Sequence, residues 1–399
     1  MGKSTSQRRL EVVPAQSAGL DADALARLKG WVERDIAAGR HHGATLIVAR
    51  RGKVALFECL GWSDKEAERV TRADDLYCMM SLAKSLTAAA ILALVDRGLL
   101  LFDSRVTQFL PEFGARGKER VTIFHLLTHS GGTYSGWLPP GRSSLDSVED
   151  IDLWPYVNKV CGQALEFRPG ERVYYNPLAS YYLLGAVMEK ITGKRYRDAL
   201  KELVLDPAGL TDTTCGLPIK EPRRVPLRMA DRTPGVVNMD VQERLNTILD
   251  ESVDSPAGFI FTSASDMFRL AEALRQRGHG ANGRLFSETM SHYAYQVHTG
   301  AMSNEFWDFN KEMAGIADFP ANFSLGGGYC RGVGHYLNPC GLTASRTSFS
   351  GLGSGSTHIM FDPERELSLV YLSAGLYVGL AHIRRCQILS DLALAAVVG

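Results

Sequence analysis

Apolar residues recur at Leu25, Leu28, Val32 and Ile36, a helical spacing that predicts one buried stripe over residues 20–38, with Asp21 placed to cap its start. The pattern then changes. Residues Gly43 to Ala49 and Val54 to Cys59 are strand-like, and the link Arg50-Arg51-Gly52-Lys53 between them reads as a hairpin turn. A second helix is predicted from Ser81 through LAKSLTAAAILALVDRG, rich in Ala and Leu and stopped near Gly98. Residues 100–215 read as helical and loop-rich: TIFHLLTH, a Gly/Pro/Ser loop around 131–145, then ASYYLLGAVMEKITG with Gly193 as its stop. A further helix is expected over 263–276, ended by Gly278. Beyond it, STHIMF and ELSLVYLS form strands separated by the turn Asp362-Pro363, and an amphipathic helix runs from about Leu380 to Val398. Helix then hairpin at one end, and hairpin then helix at the other, predict that both ends share one sheet with the helical middle inserted between them.

Composition narrows the function classes. Lys+Arg and Asp+Glu both total 44, so no basic excess exists to neutralise phosphates, and a nucleic-acid partner is not expected. No run of eighteen apolar residues occurs, which predicts no membrane-spanning helix. The N-terminal MGKSTSQRRLEVVPAQSAG lacks the apolar run of a secretory signal. Gly2 and Ser6 fit a myristoylation pattern, but the segment reads first as a polar tail over 1–18. Seven cysteines without close pairing argue against a disulfide framework and for a reducing cytoplasm. Cys330 and Cys340 flank His335 without a second C-x-x-C, so no metal is expected, and no cofactor.

The chemistry-bearing motif is Ser81-Leu82-Ala83-Lys84 at a helix start. A serine hydroxyl becomes a nucleophile only when its proton is taken, and a residue three positions along a helix faces the same way. A buried lysine loses charge and can act as that base. Alone, the motif reads more readily as an N-cap serine followed by a solvated lysine.

Its surroundings decide otherwise. The run SLAKSLTAAAILALVDRGLLLFDSRVTQFLPEF, followed by VTIFHLLTHSGG, PGERVYYNPLASYYLLGAVMEKITG, SPAGFIFTSASDMFRLAEAL, FSLGGGY and STHIMFDPERELSLVYLS, resembles the serine β-lactamase/penicillin-binding-protein superfamily, nearest its class C-like esterases and transesterases. The resemblance covers roughly residues 15–395 and implies an α/β (α+β) fold. In that fold a central antiparallel sheet is flanked by helices, with an inserted, mostly helical domain. On this chain the division is 19–80 plus 265–399 for the sheet-and-helix domain and 81–264 for the helical one.

The resemblance also implies a Ser-Lys-Tyr site, with a phenol relaying protons. Tyr174 and Tyr175 are adjacent candidates. Counting from Pro169-Gly170 selects Tyr175, whereas a literal Y-x-N selects Tyr174 with Asn176. Tyr175 is the choice, with Pro177 then standing where β-lactamases keep asparagine and Tyr174 as the fallback. The superfamily's strand cation (K-T-G or H-x-G) is absent: the slot reads Gly351-Leu352-Gly353, followed by Ser354 and Gly355. Without that cation a carboxylate-bearing substrate loses a charge-assisted contact, which favours neutral esters or thioesters. A backbone N–H from Gly353 to Gly355 is expected to pair with that of Ser81 around an oxyanion, and Asn176, Tyr134 and Trp137 to border the cleft. His129 and His358 are expected to be structural, and the glycines of 326–328 turns.

The expected function is acyl transfer through acyl-Ser81, from a small-molecule acyl donor to water, an alcohol or an amine. The alternatives are an amidase, D-aminopeptidase or β-lactamase of the same superfamily, or a non-catalytic binding protein with the same fold.

Overall fold

The computed structural model describes residues 10–134, 151–230, 239–354, 356–377 and 379–399. Trp137 and Gly355, both expected at the site, lie outside the described residues. Five helices set the frame: α1 (Ala22–Ala37), α2 (Lys84–Asp96), α3 (Ala179–Thr192), α4 (Ala264–Arg275) and α5 (Gly379–Leu394). Ten strands accompany them among the described residues: β1 (Gly43–Arg50), β2 (Lys53–Asp64), β3 (Arg69–Val70), β4 (Tyr77–Cys78), β5 (Thr214–Cys215), β6 (Ile260–Thr262), β7 (Tyr329–Cys330), β8 (Phe349–Gly353), β9 (Thr357–Asp362) and β10 (Leu367–Ala374).

Seven strands form an antiparallel sheet in the order β3-β2-β1-β10-β9-β8-β7. Strand β1 lies beside β10, with Gly43 opposite Ala374 and Arg50 opposite Leu367, so the two ends of the chain meet at the sheet centre. The pleat sends alternate residues to opposite faces. Leu46, Val48, Leu369 and Tyr371 pack with Leu25, Leu28 and Val32 of α1 and Leu389 of α5. Ile47, Ala49, Val370 and Leu372 face the other way, into a core shared with Met267, Leu270 and Leu274 of α4. Burial on both faces explains why β1 and β10 read as nearly unbroken apolar runs rather than alternating ones.

Local signals do what their chemistry allows. Asp21 accepts the Ala24 N–H at 2.6 Å at the head of α1, and Gly193 ends α3 in a left-handed conformation at φ 67°. Helix α2 is apolar all round and is buried from Lys84 to Leu94, as such a helix must be.

One expectation shifts at the site. Ser81 does not open an α-helix; it sits in a 3-10 turn, Met80–Ala83, and α2 begins at Lys84. The cause is upstream. Met79 is held by β6, its N–H on the Ile260 carbonyl at 2.8 Å, and the chain must then swing sharply through Met80 at φ 49°. Left-handed methionine is strained, by about 1–3 kcal/mol for such positions. The tighter turn nevertheless eclipses positions three apart, which stacks Lys84 directly on Ser81.

Candidate active site

The Lys84 ammonium enters a wall of alanines and leucines, where its residue is 2% exposed. Its Nζ lies 3.2 Å from Ser81 Oγ, 2.7 Å from the Pro177 carbonyl and 2.9 Å from the Ala257 carbonyl. No carboxylate contributes to its titration, and burial alone pulls its pKa from 10.5 to about 7. Three contacts suit a neutral amine well. Two N–H groups donate to the carbonyls, and the lone pair is left for the Ser81 hydroxyl proton.

Tyr175 completes the cluster. Its hydroxyl donates to Ser81 Oγ at 2.6 Å, and burial pushes its pKa up to about 12, partly offset by that hydrogen bond. The ring is clasped by His129, Phe306 and Phe323 at centroid distances of 4.6, 5.4 and 6.3 Å. The Tyr175 N–H donates to Asn304 Oδ1 at 2.9 Å, which fixes the backbone beneath it. Tyr174, one step along an extended segment, faces away and meets Phe306 edge-on at 5.8 Å. It does not reach Ser81.

The other expected residues fall in different places. Asn176 is turned from the cavity: its Nδ2 donates to the carbonyls of Thr133 and Tyr134 at 2.9 and 3.0 Å, and its Oδ1 accepts the Leu178 N–H at 3.1 Å. It therefore anchors the loop at 133–134, and Tyr134 enters this through its carbonyl rather than its ring. Pro177 supplies the carbonyl that holds Lys84. Ser354 lines the cavity, as does Leu352. Gly353 passes so close to the nucleophile turn that a Cβ there would stand 2.2 Å from the Met79 carbonyl oxygen. At Gly351 a Cβ would meet Leu82 Cδ1 at 2.7 Å and Ser85 Oγ at 2.8 Å, so a side chain in the slot where a cation is missing would have to displace these two.

The three histidines nearest the site stay neutral. His129 accepts the Asn176 N–H on Nδ1 at 3.1 Å, and burial, then Lys84, hold its pKa well below the usual value. His358 on β9 lies 2.9 Å from Ser350 Oγ, and burial lowers its pKa to about 3. His382 on α5 is likewise lowered to about 3, by burial first.

These groups open on a cavity of about 250 Å³. Phe306, Trp307, Phe323, Tyr329, His382 and Ile383 form much of its wall, and none was singled out from the sequence. They come from three separated segments: Phe323 and Tyr329 stand at the two ends of the FSLGGGY run, whose glycines are expected as turns, and the other four stand in no motif. Gly327, at φ 78°, would put a Cβ 2.5 Å from the Lys84 carbonyl oxygen, which is why that segment needs glycine. Lys84 is the one cationic side chain on the cavity wall among the described residues.

The family model described as Beta-lactamase matches residues 28–389. Esterase EstB of Burkholderia gladioli is 32% identical over 336 residues, covering 76% of this chain and 82% of that protein. Penicillin-binding protein 4* of Bacillus subtilis is 28% identical over 246 residues, covering 58% of this chain and 52% of that one. Among solved structures, EstCE1, a hydrolase with promiscuous acyltransferase activity, superposes with a TM-score of 0.76 at 18% identity, covering 92% of this chain and 98% of that one. A family VIII carboxylesterase gives 0.70 at 20% identity, covering 93% and 98%. With a family model spanning most of its length and a relative this similar, the chain belongs to the beta-lactamase family, as an enzyme of its serine hydrolase and acyltransferase kind.

Proposed function

We propose that the chain is an esterase or transacylase that works through an acyl-Ser81 intermediate on neutral esters or thioesters. The observation that carries this reading is the meeting of Lys84 Nζ and the Tyr175 hydroxyl on one oxygen, Ser81 Oγ, at 3.2 and 2.6 Å. With a pKa near 7, a large share of Lys84 is neutral at neutral pH and takes the Ser81 proton as the oxygen attacks the carbonyl. Tyr175, protonated throughout this range, acts as the acid: its proton goes to the leaving oxygen, and the one held by Lys84 replaces it. The departing product is an alcohol or thiol. Water then yields the acid, or an alcohol or amine yields a new ester or amide. The N–H groups of Ser81 and of the 353–355 segment receive the oxyanion.

Substrate charge follows from the wall. A carboxylate-bearing β-lactam or peptide has no cation to meet at Gly351, and the cavity is largely aromatic and aliphatic. The esterase activity named for the Burkholderia relative is in line with this. All seven cysteines are free, which supports a reducing, cytoplasmic home. Among the described residues no helix is long and apolar enough to cross a membrane.

The test is turnover of a short-chain p-nitrophenyl ester together with fluorophosphonate labelling, for the native chain and Ser81→Ala. Ester turnover and labelling that both vanish in the variant are expected. Labelling that persists in Ser81→Ala removes Ser81 as nucleophile, and nitrocefin turnover matching ester turnover moves the reading to a β-lactamase.

A further inference from the structure

Two backbone segments must converge for the proposed oxyanion site to exist: the turn at Ser81 and the β8 edge around Gly353–Ser354. Neither is rigid by its own sequence. Met80 is in a left-handed conformation, at φ 49°, immediately before Ser81, and β8 ends in a glycine.

A single buried hydroxyl joins them. Thr357 is fully buried at the start of β9 and is paired with Gly353 across the β8–β9 ladder. Its Oγ1 donates to the Met79 carbonyl at 2.7 Å. That carbonyl also receives the Leu82 N–H, at a longer 3.2 Å. Thr357 Oγ1 is also close to Gly353, where an added Cβ would approach it to 2.6 Å. The hydroxyl thus sits between the peptide that aims Ser81 and the strand carrying the second N–H.

The surrounding bonds fix Thr357 itself. Ser356, left-handed at φ 64°, donates to the Tyr377 carbonyl at 3.1 Å and accepts the Tyr377 N–H at 2.7 Å, while Ser373 Oγ donates to the Ser356 carbonyl at 3.1 Å.

We propose that Thr357 is a positioning residue that holds the two halves of the oxyanion site in register, an inference that rests on the acyl-Ser81 reading above. It touches no substrate and acts through Met79 and Gly353. Its loss lets the strained Met80 relax and the two N–H groups drift apart, which weakens binding of the transition state more than of the ester.

The experiment compares Thr357→Val, which keeps the shape without the hydroxyl, with Thr357→Ser, which keeps the hydroxyl. Steady-state hydrolysis of p-nitrophenyl butyrate and the rate of fluorophosphonate labelling at Ser81 are both read. Thr357→Val is expected to lower kcat roughly ten- to hundred-fold with KM within about two-fold, and labelling slows in parallel. Thr357→Ser recovers most of the lost kcat. Native kcat in Thr357→Val overturns the proposal, and so does equal loss in both variants, which shows that keeping the hydroxyl does not keep the activity. If the valine variant does not fold, Thr357→Ala removes the hydroxyl without a second methyl, and the same outcomes apply. Ser81 labelling separates the two levels: its absence in the native chain sinks the acyl-Ser81 reading, whereas its presence with an indifferent Thr357 sinks only this one.

Discussion

Replacing Lys84 with methionine is expected to make the fold more stable near pH 7 while abolishing ester turnover. In the unfolded chain this amine titrates at 10.5, and in the folded one at about 7. Between those values the unfolded state binds one more proton than the folded state, so native stability rises with pH across the window. Below pH 7 both states are charged and the burial penalty is at its full value; above 10.5 both are neutral and it is gone. Each unit is worth about 1.36 kcal/mol, so the penalty near pH 7 is on the order of 5 kcal/mol. Methionine removes it but loses two hydrogen bonds, to Pro177 and Ala257, at about 1 kcal/mol each. The net gain is roughly 3 kcal/mol at pH 7 and falls to nothing or below by about pH 10. Urea unfolding of both proteins at a series of pH values reads this directly. A Lys84→Met variant less stable than the native chain at pH 7, with a difference that does not change with pH, refutes the claim that Lys84 is held largely uncharged by burial.

Further outcomes follow from the same geometry. The native chain's kcat/KM for a neutral ester is expected to rise about ten-fold per pH unit below 7 and to level off above it, as Lys84 loses its proton; a flat profile from pH 5 to 9 opposes the base assignment. Tyr175→Phe is expected to lose about 10²–10⁴ of kcat, the range of a general acid, whereas Tyr174→Phe stays within a few-fold, both read with the p-nitrophenyl ester. Gly353→Ala forces a Cβ to within 2.2 Å of the Met79 carbonyl oxygen, so kcat is expected to fall at least a hundred-fold and the thermal midpoint to drop. Trp307→Ala enlarges the aromatic wall; KM for short esters is expected to rise about ten-fold and chain-length preference to shift to longer acyl groups, measured over a series of esters.

The sequence was most legible where a signal is local and periodic. The stripe Leu25–Ile36 and the cap at Asp21 predict α1 closely, and β9 and β10 follow from the apolar runs STHIMF and ELSLVYLS and the Asp362-Pro363 turn. Ser81 and Lys84 share a short local spacing, but it was the ordered set of motifs around them that singled them out. Tyr175 was reached only through the resemblance, since nothing in Tyr174-Tyr175 says which ring turns inward; Asn304 and His129, both distant in sequence, decide it. Strands of two or three residues, such as β4, β6 and β7, carry no period and exist by pairing alone. The helix start at Ser81 was misplaced for a similar reason, because the turn at Met80 is imposed by β6 from 180 positions away.

That distance also explains why the cavity wall was invisible. Phe306, Tyr329 and His382 share a cavity with Ser81 only because the closure of β1 onto β10 joins both ends of the chain in the sheet that also carries β7 and β8. The same closure ties substrate choice to packing. Gly351 and Gly353 let β8 press on the nucleophile turn, and at Gly351 the Cβ of a lysine or histidine would crowd Leu82 Cδ1 and Ser85 Oγ. Reintroducing a cation at this point therefore displaces the buried Leu82 and Ser85 side chains, both on the nucleophile turn and helix that β8 and Gly353 pack against. Charge selectivity and oxyanion geometry are coupled through one strand. Gly351→Lys is accordingly expected to lose ester turnover without gaining nitrocefin turnover, and a Gly351→Lys protein that hydrolyses nitrocefin while keeping its ester kcat shows that the two are separable.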